Sequence, residues 1–138
     1  MFAAHFFRRL LLCATLVCLG SPSLHAALGV NSLFPANAIT GVCIDTPLRV
    51  IFDAVPTVGT SGRIVVTNSG GTVVDMIDLL SATQTRTIGG TVYNYRPVIV
   101  VGNTAIITLR TAVLAYSQTY RVTVEGGALR DASGGAFA

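Results

Sequence analysis

From Leu28 onward the chain consists of short β-prone runs separated by glycine, asparagine, serine and proline. The regular spacing of these turn-forming residues restricts the folds that the chain can adopt. No stretch repeats apolar residues at helical spacing, so no helix is predicted. In the run "PLRVIF", Leu48, Val50 and Phe52 alternate with Arg49, which predicts a strand with one face turned inward. The run "TYRVTVE" at 119–125 has the most regular alternation of apolar and polar residues.

Glycine-containing turns join neighbouring runs into predicted hairpins. Glycine pairs at 70–71 and 89–90, and the pair formed by Gly102 and Asn103, each stand between two β-prone arms. Glycine adopts the positive φ of a two-residue turn at little cost. About six to eight short strands with evenly spaced turns predict an all-β fold, an antiparallel β-sandwich.

The first 26 residues have the parts of a secretory signal peptide. Arg8 and Arg9 precede the apolar run "LLLCATLVCLG", which is too short to span a bilayer, and "SPSLHAA" closes on small residues. Cleavage after Ala26, or alternatively after Ala27, leaves residues 27–138 as one domain. A secreted or extracellular location is expected, with the periplasm or cell surface as alternatives and no membrane span after cleavage.

The residues left after cleavage exclude several kinds of chemistry. Residues 27–138 contain no histidine, no lysine and one cysteine. Hydroxyl or thiol nucleophiles then lack their usual activating base, and zinc or copper sites lack their commonest ligand. Seven scattered arginines against six acidic residues give a net charge of +1 and no basic patch. No catalytic residue, metal, cofactor or nucleic-acid partner is therefore expected.

One local spacing refines the fold class. Leu114 lies six residues before Tyr120, at the entry to "TYRVTVE". The spacing is similar to the tyrosine corner of sandwich domains, in which a tyrosine hydroxyl ties a crossover loop to its own backbone. We therefore expect an Ig-like or fibronectin-III-like β-sandwich, with structural roles for Leu114 and Tyr120.

Longer segments resemble a known family. The frame "SLFPANAITGVCIDTPLRVIFDAVPTVGTSGRI", then "TRTIGGTVYNYRPVIVVGNTAIITL" and "LAYSQTYRVTVEGGALRDASGGAFA", is similar to bacterial Ig-like domains over nearly all of 32–138. A proline near the start, an apolar strand ending in Phe-Asp and a late "LRDASGG" are shared by many bacterial surface and secreted proteins. The segments "VCIDTPLR" and "TIGGTVYNYRPVIV" resemble the branch that precedes the catalytic domain of secreted bacterial pectin methylesterases.

This resemblance implies a function and partners. The chain is expected to be a non-catalytic accessory or spacer module whose partners are a downstream catalytic domain and pectin or another cell-wall polysaccharide. In that family the ester hydrolysis is carried out by aspartates on a separate parallel β-helix, so no catalytic residue is transferred to this chain. A structural or adhesion module of a cell-surface protein is the alternative. In the family the "LRDASGG" loop leads to a final strand, so the domain is expected to be C-terminally truncated and to lack its last strand.

Cys43, in "GVCIDTPLR", is the one cysteine outside the expected signal peptide. A reactive thiol is stabilised by a neighbouring histidine, lysine or arginine or by a helix N-terminus, and residues 27–138 have no histidine, no lysine and no obvious helix. We therefore expect a structural Cys43, buried or half-buried as a small apolar residue, with an intermolecular disulfide as the alternative.

The remaining candidates are carboxylates and tyrosines. Asp75 and Asp78 are three apart on a strand, so they point to opposite faces and are expected to be solvated strand-end acids. Turn formation is preferred to calcium binding for the other aspartates, which are Asp45, Asp53 and Asp131. Tyr93 and Tyr95 share one face of a hairpin arm. An inward orientation, with packing in the core or across the strands, is preferred for both, and a platform for sugar rings is the alternative.

Overall fold

The computed structural model describes residues 27–110 and 113–137, so the expected signal peptide lies outside the described residues. Within them the chain forms strands joined by turns and loops, which confirms the all-β prediction. The strands are β1 (Val30–Phe34), β2 (Leu48–Phe52), β3 (Thr57–Val58), β4 (Arg63–Asn68), β5 (Val73–Asp78), β6 (Gln84–Ile88), β7 (Thr91–Tyr95), β8 (Val98–Val101), β9 (Thr104–Ile107), β10 (Tyr120–Val124) and β11 (Leu129–Arg130).

A four-stranded sheet forms one layer, with the antiparallel order β1-β2-β9-β8. Its register aligns Val50 of β2 with Ala105 of β9, and Ala105 with Val100 of β8. Val50 and Ala105 are buried and Val100 is half-buried against the core, so this row faces inward. The alternation predicted for β2 is confirmed, because its buried positions are separated by exposed or half-buried ones.

A three-stranded sheet forms the opposite layer, with the order β10-β4-β5. Ile64 and Val66 of β4 and Ile77 of β5 point inward and are almost completely buried. The register between β4 and β5 shifts after Val66, which leaves Val74 as the extra residue of a β-bulge. Asp75 follows that bulge directly.

The core lies between these two sheets. Phe52, Ile64, Ile107 and Leu129 are fully buried and belong to one apolar cluster. Phe137 packs edge-on against Phe52, with ring centroids 5.2 Å apart. Burying a large apolar side chain contributes about 1.5–3 kcal/mol, so this cluster is the main source of stability.

The predicted hairpin turns are present. β6 and β7 pair as far as Ile88 and Thr91, which leaves Gly89 and Gly90 as a two-residue turn. Both glycines have positive φ, 57° and 81°, as a tight hairpin turn requires. Gly71 and Gly102 also have positive φ, in the turns that follow β4 and β8.

Two features of the architecture were not predicted. The hairpin of β6 and β7 forms its own two-stranded sheet outside both layers. β3 and β11 form a second small sheet, whose two-residue strands are too short to show an apolar period. β10 lies at the edge of the three-stranded sheet, where β4 is its partner among the described strands.

Candidate functional site

The hairpin of β6 and β7 carries the tyrosines considered as sugar contacts. In its register Tyr93 lies opposite Arg86, and Tyr95 lies opposite Gln84, so all four share one face. The Tyr95 hydroxyl donates to Gln84 Oε1 at 3.4 Å. The opposite face of the hairpin carries Thr85 and Asn94, which are paired with each other in the register.

Packing in the core was wrong for Tyr93, which is 52% exposed and whose cross-strand neighbour is Arg86. The cause is that the hairpin stands as a separate sheet, so neither layer covers the face that Tyr93 shares with Ile88, which is also exposed. Tyr95, nearer the base of the hairpin, is half-buried. The structure therefore brings together one exposed tyrosine, one half-buried tyrosine and the Arg86 guanidinium on a single face.

Two concave surfaces are also present among the described residues. A polar groove of about 460 Å³ is lined by Ser81, Thr83, Gln84, Thr85, Asn94 and Arg110. Thr85 and Asn94 lie on the hairpin face opposite to Tyr93, and neither tyrosine lines the groove. Gln84, which accepts from the Tyr95 hydroxyl, lies at its border. The other surface is a depression of about 160 Å³ beside β10, below the roughly 300–1,000 Å³ of typical ligand pockets.

Asp75 is the buried charged residue of the described chain, and its side chain is 0% exposed. Arg110 donates its backbone N–H to Asp75 Oδ2 at 2.9 Å and its Nε–H to Oδ1 at 2.6 Å. The Arg110 Nη2 lies 2.5 Å from the same Oδ1, which also accepts the Met76 N–H at 2.8 Å. The ion pair thus joins β5 of the three-stranded sheet to the segment after β9 of the four-stranded sheet.

The expectation that Asp75 is a solvated acid was wrong, and a signal against it was present in the sequence. Asp75, Ile77 and Leu79 are two residues apart, and all three are buried along the inward face. A carboxylate in an inward row requires a cation or several donors. Asp78 points to the other face, as predicted, where it is half-buried and lies 3.6 Å from Arg63.

Tyr120 begins β10, and its hydroxyl accepts the backbone N–H of Ala115 at 2.8 Å. Leu114, beside this contact, is half-buried, and Ser117 within the enclosed loop has a φ of 58°. This is the geometry of a tyrosine corner, because the hydroxyl holds the loop that enters the strand. The contact ties the loop at Ala115 to the first residue of β10.

Cys43 is exposed, so the expected burial was wrong. It lies between β1 and β2, where its carbonyl accepts the Thr46 N–H at 3.1 Å in a turn. The segment leaves the sheet after β1 and returns at β2, and the core does not include it. The thiol is therefore open to solvent.

The aspartates considered for calcium lie in turns and loops. Asp131 Oδ1 accepts from Ser133 N at 2.8 Å, from Ser133 Oγ at 2.6 Å and from Gly135 N at 2.8 Å, which closes the "DASGG" turn. Asp53 Oδ1 accepts the Gly29 N–H at 3.0 Å, and Asp45 is exposed. Across residues 27–110 and 113–137, no group of three acidic, cysteine or histidine residues is placed to hold a metal ion.

Comparisons with known proteins agree with this all-β architecture. No helix in the part of the chain that the structure describes is long and apolar enough to cross a membrane. No curated protein and no solved structure matches the chain. The sequence profile of the bacterial Ig-like domain matches residues 25–138, which is most of the chain. Domains of this family are non-catalytic and typically occur in extracellular bacterial proteins. The chain belongs to the bacterial Ig-like domain family.

Proposed function

We propose that this chain is the accessory module of a secreted pectin methylesterase, which spaces and stabilises a neighbouring catalytic domain near plant cell-wall pectin. The observation that carries the proposal is the match to the bacterial Ig-like domain over 25–138. The pectinesterase assignment is supported by the resemblance of "VCIDTPLR" and "TIGGTVYNYRPVIV" to the domains that precede such enzymes.

The placement of the polar side chains also supports a spacing role. The buried carboxylate of Asp75 is used to hold the two layers together through Arg110. The hydroxyl of Tyr120 is used to hold a loop through Ala115. The Asp75 carboxylate and the Tyr120 hydroxyl, which could act as catalytic groups in another fold, are therefore engaged in internal contacts. Such contacts favour the role of a rigid connecting unit.

The reading frame surrounding this sequence gives the first test. A region coding for a parallel β-helix downstream of residue 138 is the expected result. Tandem copies of the same domain, or a cell-envelope anchor, would instead support the alternative, a structural or adhesion module of a cell-surface protein.

An activity comparison gives the second test, with the full-length enzyme and a form that lacks residues 27–138. Methanol release from soluble methylated polygalacturonate is expected to be unchanged, because the catalytic aspartates would lie on the other domain. The form that lacks residues 27–138 is expected to lose its activity faster on heating, or to release methanol more slowly from isolated cell walls. Equal behaviour of both forms in all three assays would exclude the accessory role.

A direct contact with polysaccharide is a second candidate function, supported by the exposure of Tyr93 beside Arg86. An aromatic ring stacks on a sugar face, and a guanidinium binds the carboxylate of a uronic acid. Titration of the chain with pectin oligomers, followed by calorimetry, is expected to show saturable binding that Tyr93→Ala weakens. Tyr116→Ala removes a tyrosine that is 69% exposed outside the hairpin and is the matched control. Absence of saturable binding would rule out this candidate.

A further inference from the structure

The polar groove lies at the edge of the three-stranded sheet that β5 forms. Its lining includes Ser81, shortly after the end of β5, and Arg110, which binds Asp75 of β5. The hairpin contributes Thr85 of β6 and Asn94 of β7, which are paired in the register. β4 separates β5 from β10, so the groove lies away from the edge of β10. The opening of the groove therefore does not depend on which strand pairs with β10.

Asp75 fixes one edge of the Arg110 guanidinium and leaves its other edge available. Nε and Nη2 both lie on Asp75 Oδ1. Both N–H groups of Nη1 and the second N–H of Nη2 remain, and no described residue accepts from them. The Asp75 side chain is fully buried while the Arg110 side chain is 50% exposed, so the available edge is the part that solvent reaches. An arginine that is already held in place loses little conformational freedom when a ligand binds.

Most of the other polar side chains of the groove have no partner within the described chain. The hydroxyls of Thr83 and Thr85 and the amide of Asn94 make no hydrogen bond there. Gln84 uses its carbonyl oxygen to accept from the Tyr95 hydroxyl, which leaves its amide N–H groups for a ligand. Hydroxyl and amide groups both donate and accept hydrogen bonds. The groove is therefore suited to a ligand with several hydroxyl groups.

The charge around the groove favours an anion. Its lining contains Arg110 and no acidic residue. Residues 79–124 contain four arginines and no aspartate or glutamate. The two acids that precede this stretch, Asp75 and Asp78, are already paired with arginines. A concave surface lined by one sign of charge concentrates ligands of the opposite sign.

These observations together indicate the chemical class of the ligand. A planar carboxylate matches the two parallel N–H groups at the available edge of a guanidinium. Phosphate carries more charge, and a single guanidinium that is shared with Asp75 compensates little of it. The groove volume of about 460 Å³ lies within the roughly 300–1,000 Å³ of typical ligand pockets. A ligand with one carboxylate and several hydroxyl groups is an acidic sugar.

We propose that the groove binds an acidic sugar, whose carboxylate lies on the exposed edge of the Arg110 guanidinium and whose hydroxyls bond to Thr85 and Asn94. The site is separate from the hairpin face that carries Tyr93. It goes beyond the spacing role, because it does not require that the chain precedes a pectin methylesterase.

Calorimetric titration of the chain with a galacturonate trimer tests the ligand class. Saturable binding is expected, and the fully methyl-esterified trimer should bind more weakly on the order of tenfold, because it lacks the carboxylates that pair with the guanidinium. All titrations use one salt concentration, since salt screens such pairs. Equal binding of the two trimers, or displacement of the acidic trimer by inorganic phosphate at equal concentration, would overturn the acidic sugar as the ligand.

Substitutions locate the site. Thr85→Val and Asn94→Ala are each expected to weaken trimer binding about two- to tenfold, because each removes one hydrogen-bonding group. Thr87→Val is the matched control, since it makes the same change on the same strand and face outside the groove lining, and it should leave binding unchanged.

Arg110→Lys keeps the charge but loses the fork, so binding of the acidic trimer should fall on the order of tenfold. Arg121→Lys, on exposed β10, is its control, and urea denaturation verifies that each variant is folded. A loss of binding in Tyr93→Ala but in none of the groove variants would assign the contact to the tyrosine face and overturn the groove. Absence of binding by wild type would also overturn it, while the spacing role would still be decided by the reading frame and the activity comparison.

Discussion

Arg110 binds the carboxylate of Asp75 with both its guanidinium and its own backbone N–H, while the Asp75 side chain is completely shielded from solvent. The two residues are 35 positions apart: Asp75 lies on β5 of one layer, and Arg110 lies in the segment that follows β9 of the other. The pair is thus a polar contact between two layers that also pack through the apolar core.

Arg110→Ala is expected to lower the free energy of unfolding by about 3 kcal/mol, because it leaves a buried carboxylate without its cation. This is the lower end of the range for buried pairs, since the Arg110 side chain is 50% exposed. Urea denaturation measures the loss. The matched control is Arg63→Ala, which breaks the exposed pair with Asp78 and is expected to cost less than about 1 kcal/mol. Equal losses in the two variants would contradict the structural role of Asp75.

The ion pair marks the limit of what the sequence could reveal. Strands such as β2, β4 and β10 were predictable because alternation and glycine turns are local signals. The row of Asp75, Ile77 and Leu79 was also local, and it could have indicated an inward carboxylate. Which arginine neutralises that carboxylate depends on the packing of the layers, and no local pattern encodes it.

The tyrosines of the hairpin illustrate a second limit. Alternation predicts correctly that Tyr93 and Tyr95 share a face, but it does not say whether another layer covers that face. The hairpin stands as a separate sheet, so Tyr93 remains exposed and Tyr95 is partly covered only near the base. Cys43 was misjudged for the same reason, because burial belongs to the assembled layers and not to the segment alone.

Tyr120→Phe removes one hydroxyl and is expected to destabilise the fold by about 1 kcal/mol, because the Ala115 N–H loses its acceptor. Thermal unfolding followed by circular dichroism measures the change. Tyr116→Phe removes a hydroxyl from a side chain that is 69% exposed, and it should leave stability nearly unchanged. If both variants unfold at the same temperature as wild type, the hydroxyl of Tyr120 does not hold the loop.

Cys43 is expected to react with a thiol reagent in the folded protein as fast as it does in denaturant, because it is exposed in the native turn. Its replacement, Cys43→Ser, should change the free energy of unfolding by no more than about 0.5 kcal/mol, as for other surface substitutions. A colorimetric thiol titration with and without urea measures the first effect. A thiol that reacts only after unfolding would contradict its exposure.

Gly59 lies where β3 meets β11, and its N–H donates to the Ala128 carbonyl at 3.0 Å. A Cβ on Gly59 would overlap the backbone carbonyl of Gly127, which cannot move aside as a flexible side chain would. Gly59→Ala is therefore expected to lower the free energy of unfolding by about 1–3 kcal/mol in urea denaturation, through overpacking and backbone displacement. Gly70→Ala is the control, because the nearest atom to its Cβ is the Asn68 side-chain oxygen at 3.4 Å and its φ is not positive. Gly70→Ala is expected to leave the free energy of unfolding nearly unchanged. A similar loss of stability in both variants would mean that the close approach of β3 and β11 does not exclude a side chain at position 59.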